Sequence, residues 1–196
     1  MNNCIFTGHC INKICDQSCP DLVEATNLLD RNDISLNSKV FNTDPKLIAK
    51  YSQLLNSSKG KIVSIVTKDT VDAAELLTYC AICKLWRGSR VHVTVYNLKL
   101  SKYLEDIQNS WNAKSNNDLL EYQKIWASQA KTLIISNIDY VNFKEFQCQT
   151  LLSLIQSRRR PELTTIIVSP NPTSLIGSGN LFTSLTSMIN DTKSKL

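Results

Sequence analysis

From residue 61 onward the chain alternates short β-branched runs with longer stretches of helical period, and this alternation is the strongest constraint on its fold. "KIVSIVT" (61–67), "RVHVTVYN" (90–97), "KTLIISNI" (131–138) and "TTIIVS" (164–169) read as four strands. The stretch at 71–88 places Ala74, Leu77, Ala81 and Leu85 at helical spacing and stops at Gly88. "LSKYLEDIQNSW" (100–111), "NNDLLEYQKIWASQA" (116–130, capped by Asn116 or Asn117 ahead of Asp118) and residues 143–159 supply three more helices. Strands alternating with helices in this way imply βαβ units, hence an α/β fold with a parallel sheet flanked by helices. The remainder, carrying Pro170, Pro172, Gly177 and Gly179, breaks into short pieces and offers no clear final strand.

With 196 residues, 42% of them hydrophobic, the chain has enough apolar material for one domain and a small appendage. No apolar run approaches the roughly 20 residues a membrane span needs. The Met-Asn-Asn-Cys start lacks the basic region of a secretory leader. A soluble, cytoplasmic protein without membrane contact is expected. The formal charge of +5 concentrates at the C-terminal end, where Arg158, Arg159, Arg160, Lys193 and Lys195 face only Glu162 and Asp191. The triplet Arg158-Arg159-Arg160 is a candidate contact for DNA or an acidic partner, and equally a solvated basic loop.

Residues 1–35 differ in kind, holding Cys4, Cys10, Cys15 and Cys19 within "CIFTGHCINKICDQSC". Without a leader, disulfides are the poorer reading of four thiols so closely spaced, and metal is the better one. Zn²⁺ takes four soft ligands tetrahedrally, and a knuckle this small has too little core to hold itself together. Cys4, Cys10, Cys15 and Cys19 are therefore the expected Zn²⁺ ligands; ordinary reduced cysteines, or His9 in place of one thiol, are the alternatives. Cys80 and Cys83 fall inside a helical pattern and read as core residues. Residues 36–60 read as a polar linker enclosing a short amphipathic helix around Pro45 to Leu55, ahead of the α/β domain at 61–196.

The order of elements from 61 to about 182 resembles the AAA+ helicase-loader group, the DnaC, DnaI and IstB type of bacteria, phages and mobile elements. The resemblance is carried by the strand and turn beginning "IVSIVTKDTVDAAELL", the strand "TLIISNIDYV", the helix ending "LLSLIQSRRRPEL" and the sensor-one-like "TTIIVSPNPTSLI". The Cys-rich segment resembles the small zinc-bearing domain with which some loaders grip the helicase. A P-loop NTPase-like sheet, a small N-terminal zinc knuckle, and a replicative helicase or an ATPase-competent loader as partner are what the resemblance implies.

The motifs that such a family needs for ATP are degraded. In place of G-x-x-x-x-G-K-[ST], whose glycines let backbone N–H groups approach phosphate, the first turn reads "TKDTVDAAE", with Thr67, Asp69 and Thr70 and no glycine. Asp69 brings negative charge where a triphosphate needs donors. Where one or two acids should hold Mg²⁺ stand Ser136 and Asn137; Asp139 comes two residues late and reads as a turn residue capping the next helix. Ser169 and Asn171 read as a polar strand end. No arginine follows Arg160 to reach a neighbouring subunit's nucleotide. The expectation is a pseudo-ATPase without catalytic residues or bound ATP: a replication accessory protein acting as loader, accessory subunit or inhibitor. A nucleic-acid module using the knuckle and Arg158 to Arg160, or a nucleotide switch with an atypical site, is the alternative. The partner and the oligomeric state are not legible in the sequence.

Overall fold

The computed structural model describes residues 20–35, 43–88, 95–111, 118–159, 161 and 163–194. Cys4, Cys10, Cys15, Cys19 and Arg160 lie outside them, as does the side chain of Cys83. In chain order the elements are α1 (Pro20–Arg31), α2 (Pro45–Ser57), β1 (Ile62–Val66), α3 (Thr70–Gly88), β2 (Val95–Lys99), α4 (Leu100–Ser110), α5 (Asp118–Gln129), β3 (Thr132–Ser136), β4 (Asn142–Phe143), α6 (Glu145–Arg159), β5 (Thr164–Ser169), β6 (Ile176–Gly177), α7 (Asn180–Asp191) and β7 (Lys193–Ser194), with 3₁₀ turns at Ile138–Tyr140 and Pro172–Ser174.

Five strands form one parallel sheet in the order β2-β3-β5-β1-β7, and β4 and β6 pair separately. β5 is central and buried at every residue, as a strand covered on both faces must be. Its side chains divide by alternation: Ile166 and Val168 join one apolar cluster, Ile167 the other. The first cluster takes α1, α2 and α3, and the second α4 to α7. A right-handed crossover explains this division, because the path from β1 to β2 runs one way across the sheet and the return through β3, β5 and β7 runs the other. Ile134, Ile135, Ile166 and Ile167 are fully buried, each worth about 1.5–3 kcal/mol relative to exposure.

Three expectations change. The final strand exists: β7 is only two residues long, and Lys193 and Ser194 pair with Ser64 and Ile65 of β1. The stretch at 36–60 is more than a linker, since α2 buries Tyr51, Leu54 and Leu55 in the core shared with α3. Asp44 starts this helix by accepting from Lys46 N at 2.9 Å, with Pro45 in the first turn. The boundary at residue 35 also moves, because Leu28, Leu29 and Ile34 belong to the same core. Cys80 is buried, as its helical spacing suggested. Among the described residues no helix is long and apolar enough to cross a membrane.

The turn that follows α1 closes the open edge of the sheet. β2 is an edge strand, with unpaired backbone groups that would otherwise face outward. The Asn32 carboxamide accepts from Asn97 N at 2.7 Å and donates toward Val95 O at 3.5 Å, the two-point pairing a neighbouring strand would make. It also donates to Leu28 O at 2.7 Å, which fixes its orientation. Arg31 stacks over Trp126 at 4.5 Å, and Asp33 pairs with Lys99 at 2.9 Å.

Candidate functional site

In a parallel α/β sheet the ligand-binding crevice lies beyond the carboxyl ends of the strands. Here that edge is built from the β1–α3 connection, the end of β3 and the end of β5. The β1–α3 connection contains only Thr67, Lys68 and Asp69. Thr67 N donates to Ser169 O at 3.0 Å, tying the turn back to β5. Asp69 then caps α3: its carboxylate accepts from Asp72 N at 3.1 Å and its carbonyl from Ala73 N at 3.3 Å. Thr67 Oγ1 accepts from Asp69 N at 3.4 Å, and Thr70 is buried.

A helix N-terminus binds anions because its first N–H groups lack partners and its dipole favours negative charge. At α3 the Asp69 carboxylate already occupies that position. Three residues also cannot form the backbone nest that an eight-residue phosphate loop wraps around a triphosphate. The residues present do not fit a Mg²⁺-nucleotide cradle.

The end of β3 is committed to internal bonds as well. Ser136 is buried and its hydroxyl donates to Asn97 Oδ1 at 2.8 Å, so Asn32, Asn97 and Ser136 form a buried polar chain from α1 across two strands. Asn137 takes a left-handed conformation (φ 56°, ψ 32°), which asparagine tolerates, and turns the chain into the 3₁₀ segment. Asp139 lies within that segment and does not cap α6. There Lys144 N donates to Gln147 Oε1 at 3.2 Å, and Lys144 O accepts from Cys148 N. One carboxylate oxygen of Asp139 is buried without a protein hydrogen bond, as is the Ser169 hydroxyl. Asn171 is an exposed turn residue whose side chain accepts from Thr173 N at 3.2 Å. Thr67, Asp69, Thr70, Ser136, Asn137 and Asp139 are thus gathered at one edge of the sheet, as the resemblance implied, and most are engaged with their own backbone or core.

The arginine triplet divides. Arg158, read as a contact for partner or nucleic acid, is completely buried instead. Its Nε donates to Thr165 Oγ1 at 2.9 Å, Nη1 to Ala127 O and Ser128 O at 2.8 and 3.3 Å, and Nη2 to Ala130 O and Thr164 O at 2.8 and 2.7 Å. All five guanidinium donors are used. Burial pushes its pKa down to about 10, which leaves it cationic at neutral pH, held by carbonyl dipoles at the end of α5. Arg159 is exposed.

A surface that no motif announced lies on α5. Leu119, Tyr122 and Ile125, three residues apart, are all exposed. Of the three, Ile125 lines a groove of about 600 Å³ between α5 and α6, together with Ser128, Phe146, Gln149 and Ser153 among others. The i, i+3, i+6 spacing was present in the sequence, but which side of the helix met the core was not.

No family model matches the chain, and no curated protein does. Among solved structures, the replication initiator DnaA bound to AMPPCP and single-stranded DNA superimposes with a TM-score of 0.56 at 13% identity, over 77% of this chain. The fold is a parallel α/β sheet flanked by helices, similar to that of this initiator. The matched region spans 46% of that DnaA chain. The DnaC helicase loader aligns over 86% of this chain and 96% of its own, with a TM-score of 0.47 and 13% identity. The likeness of fold rests on the first of these.

Proposed function

We propose that this protein is a catalytically silent AAA+-like accessory factor of DNA replication, which binds a replicative helicase or an ATPase-competent loader as loader, accessory subunit or inhibitor. The observation that carries the reading is the self-capped α3. The AAA+-like sheet is kept, while Asp69 fills the position of the phosphate at the end of a three-residue turn. Replication enters through the likeness to an initiator and a loader. The exposed stripe Leu119, Tyr122 and Ile125 supports a protein partner, since apolar side chains of this size are the usual anchors of an interface. Cys4, Cys10, Cys15 and Cys19 hold Zn²⁺ in this proposal and carry the specific contact. Without ATP, regulation comes from binding equilibria alone.

Calorimetry with Mg-ATP tests the silent site directly: no saturable heat is expected below millimolar nucleotide. A micromolar dissociation constant would instead establish the atypical nucleotide switch. In the same experiment the replicative helicase of the source cell, titrated into the nucleotide-free protein, should bind. Failure of both the helicase and its loader to bind sinks the adaptor reading.

Metal analysis of protein purified without chelator is expected to give about one Zn²⁺ per chain. The double variant Cys15→Ser, Cys19→Ser should lose it while the α/β core keeps its unfolding midpoint. Full metal retention in that variant excludes the site.

A further inference from the structure

We propose that a second copy of this chain docks on the outer face of α5 and α6, antiparallel about a two-fold axis that crosses both helices at the level of Tyr122 and Leu152. The two helices lead into neighbouring strands of one parallel sheet, β3 and β5, so they run the same way. Arg158 matches their heights by donating to Ser128 O. Six residues back from each, Tyr122 lies level with Leu152. On α5, Leu119 and Ile125 stand three residues to either side of Tyr122, and all three are exposed. On α6, Glu145 and Arg159 stand seven residues to either side of Leu152, and both are exposed. Their separation of fourteen residues is nearly four turns, so acid and base share one stripe of the helix. A two-fold at that level brings Tyr122 against its own copy, with Leu119 and Ile125 on either side. It also sets Glu145 opposite the partner's Arg159.

Between these end charges the exposed positions of α6, Gln149, Ser153, Gln156 and Ser157, are uncharged. α7, packed beside it, belongs to a run from Leu163 to Asn190 without Asp, Glu, Lys or Arg, in a chain of which 20% is charged. A helix face turned to water ordinarily carries charge, whereas the core of a protein interface is depleted in it. Compensation of the helix dipole explains an acid in the first turn of α6 and a base in the last. It explains neither the uncharged stretch between them nor the apolar stripe on α5. An uncharged face selects another uncharged face, because a charged one would lose its hydration without gaining a partner. The second copy supplies that face with its end charges in the complementary places, the self-complementarity that a two-fold interface needs. Lys124, which lines the groove beside Ile125, is paired with Glu121 at 2.7 Å, and the pair straddles the axis so that each member faces the opposite charge of the other copy. Lys144, next to Glu145, lines a separate pocket with Glu105 and Gln108 of α4. Affinity comes from the apolar stripe, since exposed ion pairs contribute little, and the end charges set the direction. In the adaptor reading the specific contact lies in the cysteine segment, so the two proposals fail separately.

Sedimentation velocity of the full chain across the micromolar range is the test, and a reversible dimer is expected. Ser153→Glu puts a carboxylate at an exposed position near the axis, where it meets its own copy. It should weaken the dimer about tenfold or more while the circular dichroism stays that of the parent. Gln53→Glu adds the same charge on α2, at the opposite face of the sheet, and should leave association within about twofold. Glu145→Arg and Arg159→Glu should each weaken the dimer several-fold, and the double exchange should restore it. Dipole compensation alone makes the double exchange the worst of the three. A parent that is monomeric throughout overturns the proposal, as does a dimer that Ser153→Glu leaves intact, that Gln53→Glu weakens equally, or that the double exchange fails to restore. Loss of the dimer in the Cys15→Ser, Cys19→Ser variant would assign the contact to the cysteine segment and also overturn it. A monomeric parent whose helicase binding is weakened by Ser153→Glu would give this face to a foreign partner instead.

Discussion

Replacing Arg158 with leucine is expected to remove about 4 kcal/mol or more of folding stability, enough to shift the urea midpoint by a large part of its value or to prevent folding. The side chain makes five hydrogen bonds in a site without solvent. Leucine would leave the Ala127, Ala130 and Thr164 carbonyls buried without that partner, at about 1–3 kcal/mol for each group left unpaired. Arg158→Lys should fall between parent and leucine variant, because an ammonium is a compact point charge and cannot reproduce a planar fork reaching two helix-end carbonyls and β5 together. Arg159→Leu, on the exposed side of the same helix, should change stability by no more than about 0.5 kcal/mol. Equilibrium unfolding followed by circular dichroism measures all three. Equal midpoints for the Arg158→Leu and Arg159→Leu variants would show that the buried fork contributes nothing to the fold.

The contrast between these neighbouring arginines shows what the sequence could and could not disclose. As a string, Arg158-Arg159-Arg160 is a basic run, but successive residues on a helix point about 100° apart. Arg158 continues the inner stripe of Leu151 and Ile155, at helical spacing from both, and that periodicity was the available signal. What outweighed it is the prior that arginine stays outside. The strands were legible because four β-branched runs at 61–67, 90–97, 131–138 and 164–169 have few other uses. Residues 90–94 of the second run lie outside the described residues, and β2 continues two residues past the expected end, Leu98 and Lys99 leading directly into α4. β7 was illegible: two residues carry no period, and its identity is conferred by pairing with Ser64 and Ile65.

The absence of phosphate-loop glycines was readable in the sequence, whereas the local structure that stands in their place was not. Asp69 was expected to repel phosphate; in the structure its carboxylate caps α3. An Asp three residues before Asp72 at the start of a helical period is an N-cap signal, masked by reading the segment only as a failed phosphate loop. Asp139 shows the reverse error, a carboxylate assigned to capping where Lys144 and Gln147 do the work. Residues 20–35 were grouped with the cysteines by proximity. Leu28, Leu29 and Ile34 are nevertheless the apolar residues that a core-packing segment needs, and nothing local said where that core was.

Cutting the chain at these two places should therefore give opposite results. A chain beginning at Pro20 is expected to unfold cooperatively within a few degrees of the full protein, because Leu28, Leu29, Ile34 and Asn32 keep their places against α3 and β2. In the proposed adaptor role it should lose Zn²⁺ and partner binding. A chain beginning at residue 36 forfeits the burial of two leucines and an isoleucine, about 1.5–3 kcal/mol each, and uncovers Asn97 N on the edge of β2. The Lys99–Asp33 pair, being exposed, adds little to that loss. The sum is comparable with the whole stability of an ordinary domain, about 5–15 kcal/mol, so this chain should be unfolded or aggregated at 37 °C. Far-ultraviolet circular dichroism and size-exclusion chromatography distinguish the outcomes, and a cooperative transition within a few degrees for the shorter chain would show that α1 is peripheral. Asn32→Leu supplies the intermediate test: it keeps side-chain volume, deletes the two-point pairing to β2, and should cost about 1–3 kcal/mol. Loss of partner binding in the chain beginning at residue 36 would accordingly report an unfolded core, and only the cut at residue 20 isolates the contribution of the cysteine segment.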